Sequence, residues 1–447
     1  MPDTSAIKSR DRDAIIQALR AGVVPKLGLR HIQVGRDREI GELIKDIDRI
    51  AGGGAAVRFI IGEYGAGKTF FLNLVRLIAL ERKLVVMNAD LSPSRRLHAT
   101  DGQARSLFNE LTRNLATRTK PEGGALASVV ERFIGDAMRD AKRDGQAVDD
   151  IIQQRLAPLQ DLVSGFDFAA VLASYWHAYD RGDDDAKAAA LRWLRAEYST
   201  RTEARQALGV RDIINDAHVY DYLKLLAAFV KLAGYDGLLI VLDEMVNLYN
   251  LANAQSRNAN YEQILRIVND VLQGSASNIG FLMGGTPEFL MHTRRGLYSY
   301  PALQSRLAEN RFARDGLVDL SGPVIRLQNL TREDLYVLLD NIRKVFSAGD
   351  PGRPALPDEA LVQFMEHCSK KIGEAYFRTP RNTVTAFVSL LSVLEQNPGA
   401  RWQDLLGDVE IAPDLPGEPV EAVAVNADGE TLTQAQGDDD PLATFRL

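Results

Sequence analysis

The stretch that decides the fold is Gly62-Glu63-Tyr64-Gly65-Ala66-Gly67-Lys68-Thr69. It matches G-x-x-x-x-G-K-[ST], the P-loop pattern, at every fixed position. Its glycines leave room for main-chain N–H groups to turn toward phosphate oxygens, its lysine supplies a cation for the β- and γ-phosphates, and its threonine hydroxyl can bind Mg²⁺. A short, mostly apolar run typical of a buried parallel strand precedes it at residues 57–61, and a helical pattern follows. The sequence therefore predicts a phosphate-binding loop between a strand and a helix.

A second apolar run, residues 238–242, ends in the carboxylates Asp243 and Glu244. We expect Asp243 to hold hydrated Mg²⁺ and Glu244 to polarise the attacking water. A glutamate after the aspartate favours hydrolysis over binding alone, and the guanine-reading pattern N-K-x-D is absent from the sequence. The predicted cofactors are therefore ATP and Mg²⁺, with the metal held by Thr69 and Asp243. The predicted nucleotide-binding residues are Gly62, Glu63, Tyr64, Gly65, Ala66, Gly67, Lys68, Thr69, Phe70 and Asp243.

The composition favours a globular, cytoplasmic protein. The 447 residues are 46% hydrophobic, and no run approaches the roughly 18 apolar residues of a membrane helix. The first residues show no export pattern. The single cysteine, Cys368, excludes an internal disulfide framework and fits a reducing compartment. We therefore expect a cytoplasmic location and no contact with a membrane.

The net charge of -7 is distributed unevenly along the chain. Residues 408–447 contain ten carboxylates and one arginine, which gives this segment a charge of -9 and leaves residues 1–407 at +2. The segment is rich in Pro, Gly, Asp and Glu, which predicts disorder. An acidic tail repels polyanions, but a nearly neutral body can still carry a basic face. Bulk charge therefore does not decide whether nucleic acid is a partner.

Two further apolar runs, residues 84–90 and 279–283, add strands to the two described above. Strands that alternate with amphipathic helices predict an α/β fold, a parallel sheet covered by helices. The helical stretch between the second and third strands is longer than a crossover needs, so we interpret it as an insertion. The predicted organisation is an N-terminal helical segment (1–50), an α/β nucleotide-binding core (51–117 and 216–325), a helical insertion (118–215), an all-α lid (326–407) and an acidic tail (408–447).

Four more residues are candidates for catalysis. Thr286 follows the strand expected between the acidic pair and the γ-phosphate, where it could read the bound triphosphate; the alternative is a turn or capping threonine. Arg306, or as second choice Arg311, could reach a neighbouring subunit's nucleotide and supply charge to the transition state. Arg381, at the start of a lid helix, could fold over the γ-phosphate; for each arginine the alternative is a surface residue. Four other arginines are interpreted as solvated charges, with nucleic-acid or subunit contacts as the alternative: Arg257, Arg266, Arg294 and Arg295.

Together these motifs resemble the AAA+ ATPases over about residues 30–400, apart from the insertion. The phrase Gly35-Arg36-Asp37-Arg38-Glu39 resembles the Orc/Cdc6-like branch of these proteins. The resemblance implies a P-loop AAA+ core, a helical lid and assembly through a trans arginine. The catalytic residues that it implies are Lys68, Glu244, Thr286 as sensor 1 (often asparagine in these ATPases), Arg306 as the arginine finger and Arg381 as sensor 2.

A closer resemblance is to the BREX-system ATP-binding proteins, the BrxC/BrxD group of bacterial anti-phage defence. It rests on residues 62–69, 242–248, 284–289 and 376–381. The similarity runs over nearly the whole chain and includes the insertion and the terminal Phe445-Arg446-Leu447. It implies a defence ATPase that works beside helicases or methyltransferases on DNA. No clear winged-helix pattern follows the lid.

We therefore interpret the chain as an AAA+ ATPase that assembles into a hexamer-like ring or partial ring. Hydrolysis would be coupled to loading on or remodelling of double-stranded DNA, with helicases or other defence proteins as further partners. One alternative is a nucleotide-dependent interaction switch that recruits protein partners through its insertion and tail and touches no DNA. Another is a pseudo-ATPase that binds nucleotide without turnover.

Overall fold

The fold is built around a five-stranded sheet in which all paired strands run parallel. The structure is a computed structural model that describes residues 7–312, 318–348, 356–373 and 380–407. The strands are β1 (Ala55–Ile61), β2 (Leu84–Asp90), β3 (Gly237–Asp243), β4 (Ile279–Gly285) and β5 (Val324–Arg326). Their order across the sheet is β2-β3-β4-β1-β5. The predicted α/β fold with a parallel sheet is confirmed.

The strands form where the chain is mostly apolar, although β1 also contains the buried Arg58. Every residue of β1, β3 and β4 is buried, as expected for a sheet covered on both faces. Successive residues of β1 point to opposite faces, so Phe59 and Ile60 belong to different cores. The edge strand β5 pairs with residues 59–61 of β1 but has only three residues. A segment that short has no periodicity, so its sequence alone does not predict a strand.

Helices connect the strands and cover the sheet. Those before β3 are α1 (Ser9–Arg20), α2 (Asp37–Ala51), α3 (Lys68–Glu81), α4 (Gln103–Arg113), α5 (Leu126–Asp144), α6 (Val148–Gln160), α7 (Gly165–Arg181), α8 (Asp184–Leu194), α9 (Arg201–Leu208) and α10 (Val219–Leu232). Those after β3 are α11 (Val246–Tyr249), α12 (Ala254–Leu272), α13 (Pro287–Met291), α14 (Pro301–Leu307), α15 (Arg332–Ser347), α16 (Asp358–Ile372), α17 (Pro380–Gln396) and α18 (Trp402–Leu406). Because the strands are parallel, the loops at their carboxyl ends meet at one edge of the sheet, where ligands bind in open α/β folds.

The segment predicted as an insertion contains the five helices α5 to α9 and extends the core of the sheet. Its apolar side chains, such as Trp193, belong to the same buried cluster as Phe281 of β4. The segments before and after these helices are joined by hydrogen bonds to Asp216, which precedes α10. Its carboxylate accepts hydrogen bonds from the N–H groups of Gly102 (2.6 Å) and Arg105 (2.7 Å) at the start of α4. The insertion is therefore anchored by shared packing and by a helix cap.

The N-terminal helices divide between two cores. Ile15 and Ile16 of α1 are buried together with residues of the lid helices α15, α16 and α17. Arg20, the last residue of α1, donates a 2.6 Å hydrogen bond to the hydroxyl of Ser392 on α17. In contrast, α2 packs on the sheet through residues such as Leu43. Helix α1 is thus a structural part of the lid, although the sequence places it in the N-terminal segment.

The helices of the predicted lid, α15 to α18, share a separate hydrophobic core with α1. Phe364 and Phe387 pack within it with tilted rings whose centroids are 5.2 Å apart, and Cys368 is fully buried in the same core. The half-buried Phe70 packs against both this core and the core on the α2 face of the sheet. The first turn of α3 therefore contacts the lid directly. The predicted acidic tail, residues 408–447, lies outside the described residues.

Candidate functional site

The P-loop joins the end of β1 to the start of α3. Gly65 and Gly67 have positive φ angles of 82° and 79°, a conformation that glycine adopts without steric cost. The N–H group of Gly62 donates to the carbonyl oxygen of Gly285 at 3.2 Å, which holds the loop against the end of β4. Because Gly67 is the N-cap of α3 and has no side chain, the first N–H groups of this helix form a suitable binding site for an anion.

The side chain of Lys68 lies within the loop. Its Nζ atom donates to the carbonyl oxygens of Gly62 and Glu63, each at 2.9 Å. Burial lowers the pKa of this ammonium group, while the carboxylates of Asp243 and Glu244 raise it. An ammonium bonded to two main-chain carbonyls can exchange them for phosphate oxygens, so its position suits the role predicted for it.

The two nucleotide motifs meet through a hydrogen bond between Thr69 and Asp243. The Thr69 hydroxyl donates to Oδ2 of Asp243 at 2.7 Å, and Oδ1 accepts from the N–H group of Glu244 at 2.8 Å. Gly284 of β4 lies against this carboxylate, and a Cβ atom there would come within 2.4 Å of Oδ1. A hydroxyl and a carboxylate are oxygen ligands of the kind that Mg²⁺ prefers. Thr69 and Asp243 could therefore hold the metal together.

Glu244 stands in a turn directly after β3. Its φ angle is 57°, a left-handed conformation that is uncommon for a residue other than glycine and carries strain. The next residue, Met245, donates its N–H group to the carbonyl oxygen of Gly284 at 3.0 Å. Burial raises the pKa of Glu244, and the carboxylates of Asp243 and Asp90 raise it further. The strand end and this bond thus fix the direction in which the chain presents Glu244.

Asp90 is a third carboxylate at this edge, and it is not among the site residues predicted from the sequence. It is the last residue of β2 and lies beside Asp243 in the register of the sheet. The following residue, Leu91, donates its N–H group to the carbonyl oxygen of Asp243 at 3.0 Å. Burial and the Asp243 charge raise the pKa of Asp90. The available signal was that β2, like β3, is an apolar run that ends in a carboxylate.

Thr286 follows β4, which lies between β1 and β3. The structure therefore places it between the P-loop and the acidic pair. Its hydroxyl accepts a 3.4 Å hydrogen bond from the N–H group of Phe289 and caps helix α13. The capping role considered from the sequence is thus present, and the sensor role stays a prediction.

The chain matches the family described as BREX system ATP-binding protein BrxC/D over residues 7–410. The chain belongs to this family. It is therefore an ATP-binding protein of the BREX system. The BrxC/D match includes the insertion, as predicted, and stops short of Phe445-Arg446-Leu447. No curated protein matches the chain. Across the residues that the structure describes, no helix is long and apolar enough to cross a membrane.

In this BrxC/D chain the three candidate arginines occupy different environments. Arg306 is turned onto its own chain, where it donates to Oδ1 of Asn269 at 2.5 Å and to the carbonyl oxygen of Ala302 at 2.8 Å. Arg311 is exposed. Arg381 is exposed at the start of α17, and its Nε atom lies 3.1 Å from where a Cβ atom on Gly22 would stand. Their roles toward a nucleotide stay predictions.

The interpretation of four other arginines as solvated charges is wrong for Arg257. This residue is only 8% exposed and donates to the carbonyl oxygen of Leu251 at 2.7 Å. Arg266 forms a 2.7 Å ion pair with the buried Asp221. Arg295 donates to the carbonyl oxygens of Tyr249 and Leu251 at 3.1 and 3.3 Å. Of the four, Arg294 is exposed as expected.

Proposed function

We propose that this BrxC/D protein hydrolyses ATP with Mg²⁺ at the edge of the sheet formed by the P-loop and the acidic pair. The observation that carries the proposal is the 2.7 Å hydrogen bond between Thr69 and Asp243, with Lys68 and Glu244 beside it. Mg²⁺ bound by Thr69 and Asp243 would neutralise charge on the phosphate oxygens. In this proposal Lys68 binds the β- and γ-phosphates, and Glu244 orients the attacking water.

The raised pKa of Glu244 supports its role. A carboxylate that is partly desolvated accepts hydrogen bonds more strongly than one in water, because fewer solvent molecules compete for it. The ammonium of Lys68 favours the ionised form. Glu244 is therefore suited to hold and polarise a water molecule at the end of β3.

A pair of substitutions tests the proposal. Glu244→Gln keeps the shape of the side chain and removes its charge, so ATP binding should be kept while turnover falls by about a hundredfold or more. Lys68→Ala should weaken ATP binding as well as turnover. Glu262→Gln, on the exposed side of α12, is a matched control that should change neither. Equal turnover in Glu244→Gln and the unaltered protein would contradict the proposed role of Glu244.

We further propose that the protein assembles into a ring or partial ring and couples hydrolysis to loading on or remodelling of double-stranded DNA. Support comes from the match to the BREX family and from the exposed Arg311, which lies in a segment that could serve a neighbouring site. Arg306, the first choice from the sequence, would have to leave its bonds to Asn269 and Ala302 to do so. A head-to-tail interface of this kind closes into a ring when its rotation permits. An arginine supplied in trans makes hydrolysis depend on assembly.

DNA binding by the Glu244→Gln variant with ATP distinguishes this proposal from an interaction switch. Affinity for duplex DNA should fall steeply as salt increases, with a slope that reports how many phosphates are contacted. Sedimentation in the same buffer should show assembly with ATP. A variant that binds ATP but has no affinity for DNA at low salt, and that instead captures a helicase or other defence protein, would favour the switch.

A further inference from the structure

Helix α12 buries three polar side chains on one face. Arg257, Asn260 and Tyr261 have the spacing i, i+3 and i+4, which places them side by side on a helix. They are 8%, 0% and 0% exposed, respectively. Polar groups that are buried this deeply need hydrogen-bond partners, so the partners of these three residues indicate the structural role of this helix face.

Each of the three binds the main chain of a different loop at the carboxyl edge of the sheet. After β2, Asn260 accepts from the N–H group of His98 at 2.9 Å and donates to its carbonyl oxygen at 3.0 Å. After β4, the Tyr261 hydroxyl donates to the carbonyl oxygen of Arg295 at 2.6 Å. After β3, Arg257 donates to the carbonyl oxygen of Leu251 at 2.7 Å. One helix face thus fastens the loops that follow three adjacent strands.

The loop after β3 begins with Glu244 and is held at both ends. At its start, Met245 is bonded to β4. At its end, Arg257 and Arg295 both donate to the carbonyl oxygen of Leu251. These bonds satisfy a carbonyl group beyond the C-terminus of the short helix α11, where main-chain acceptors lack helical partners. The strained backbone of Glu244 is therefore part of a segment that α12 fixes from the far side.

The loop after β2 is connected to the same segment. Asn247 of α11 donates to the carbonyl oxygen of Leu91 at 2.9 Å. The N–H group of Leu91 is in turn bonded to Asp243 at 3.0 Å. The same loop continues to His98, which Asn260 holds from both its N–H and carbonyl groups. The loops after β2 and β3, which end the strands that carry Asp90 and the acidic pair, are thus both anchored to α12.

We propose that Arg257, Asn260 and Tyr261 are positioning residues that hold Glu244 and its neighbours in the geometry required for ATP hydrolysis. This inference rests on the proposed ATPase function. Apolar side chains would be sufficient to pack α12 against the sheet, so hydrogen bonds to three separate loops are explained better by a need for accurate loop placement. A displacement of about 1 Å in a group that orients the reacting water can lower a rate a hundredfold.

Two variants test the proposal with little change in packing. Tyr261→Phe removes only the hydroxyl that holds Arg295, and Asn260→Leu replaces the amide by an apolar group of similar size. We expect kcat to fall about threefold and about tenfold, respectively, while the Kd for ATP stays within about twofold. Asn258→Leu, the same change at an exposed position of α12, should alter neither. Hydrogen exchange of residues 244–251 in Tyr261→Phe and of residues 91–98 in Asn260→Leu should become faster.

Unchanged kcat in both variants would overturn the proposal. So would a parallel loss of ATP affinity and kcat in Tyr261→Phe, because a general structural role predicts that both change together. If the unaltered protein bound ATP without turnover, the ATPase proposal would fail separately. The exchange measurement would then decide whether α12 positions the Glu244 segment, and unchanged exchange would refute that too.

Discussion

The hydroxyl of Thr69 donates a 2.7 Å hydrogen bond to Asp243, a residue 174 positions further along the chain. The bond forms because α3 begins beside β1 and because β3 ends two strands away at the same edge of the sheet. It places one hydroxyl oxygen and one carboxylate where oxygen ligands to a divalent cation are needed. Several consequences of this edge can be measured.

The first prediction concerns Thr69. Thr69→Val keeps the shape of the side chain but removes the hydroxyl, so Asp243 loses its partner and the proposed metal loses a ligand. ATP affinity in Mg²⁺ should fall about tenfold or more, with a much smaller change in EDTA. Thr69→Ser, which keeps the hydroxyl, should stay within about threefold of the unaltered protein in calorimetric titration. Equal losses with and without Mg²⁺ would contradict the assignment.

The second prediction concerns Gly284. A methyl group at this position would come within 2.4 Å of the Asp243 carboxylate and 2.8 Å of Leu72. Gly284→Ala should therefore displace Asp243, lower the free energy of unfolding by about 1–3 kcal/mol and weaken Mg²⁺-dependent ATP binding. Gly41→Ala is the control, because Gly41 lies within α2 with no neighbouring atom within 4 Å of the added Cβ. That change should stabilise the protein by about 0.5–1 kcal/mol in denaturant unfolding.

The third prediction separates Arg306 from Arg311. Because Arg306 is bonded to Asn269, it stabilises the contact between α12 and α14, whereas Arg311 is exposed and could contact a neighbouring subunit. Arg311→Ala should abolish the rise of specific ATPase activity with protein concentration and leave the thermal unfolding temperature unchanged. Arg306→Ala should lower that temperature. Loss of the concentration dependence in Arg306→Ala alone would reverse the assignment.

The fourth prediction concerns Cys368, the only cysteine of the chain. Burial in the lid core raises the pKa of its thiol from 9.0 to about 12. A buried neutral thiol contributes stability that is fully present below pH 9 and is lost as the pH rises toward 12. At pH 8.5 only roughly one thiol in a thousand or fewer is ionised, so native protein should resist alkylation while urea-unfolded protein reacts fully. Rapid labelling of native protein would contradict the buried position.

The sequence predicted the parts of the molecule that depend on local pattern. The P-loop and the acidic pair are short motifs with a fixed relation to the strands before them, so Lys68, Thr69, Asp243 and Glu244 could be found without a structure. The four longer strands are mostly apolar runs, and their parallel arrangement follows from the helices between them. Their meeting at one edge confirms the α/β fold.

The features that the sequence did not show depend on distant partners. Arginine is usually a surface residue. Arg257 is buried because it binds a carbonyl group that only the folded loop after β3 presents. Asp90 becomes part of the site through its register with β3. Nothing in residues 9–20 indicates that α1 packs with helices near the other end of the chain. Neither periodicity nor composition predicts such contacts between residues that are far apart in the sequence.

The placement of α1 in the lid core has a consequence for biosynthesis. Ile15 and Ile16 leave the ribosome before their packing partners, because Ser392 and its helix follow 372 residues after Arg20. At about 5–20 residues per second, the apolar side of α1 waits roughly 20 seconds to more than a minute for its packing partners. During that interval it is a ready target for a chaperone. Helices translated hundreds of residues later thus determine when α1 is sheltered from water.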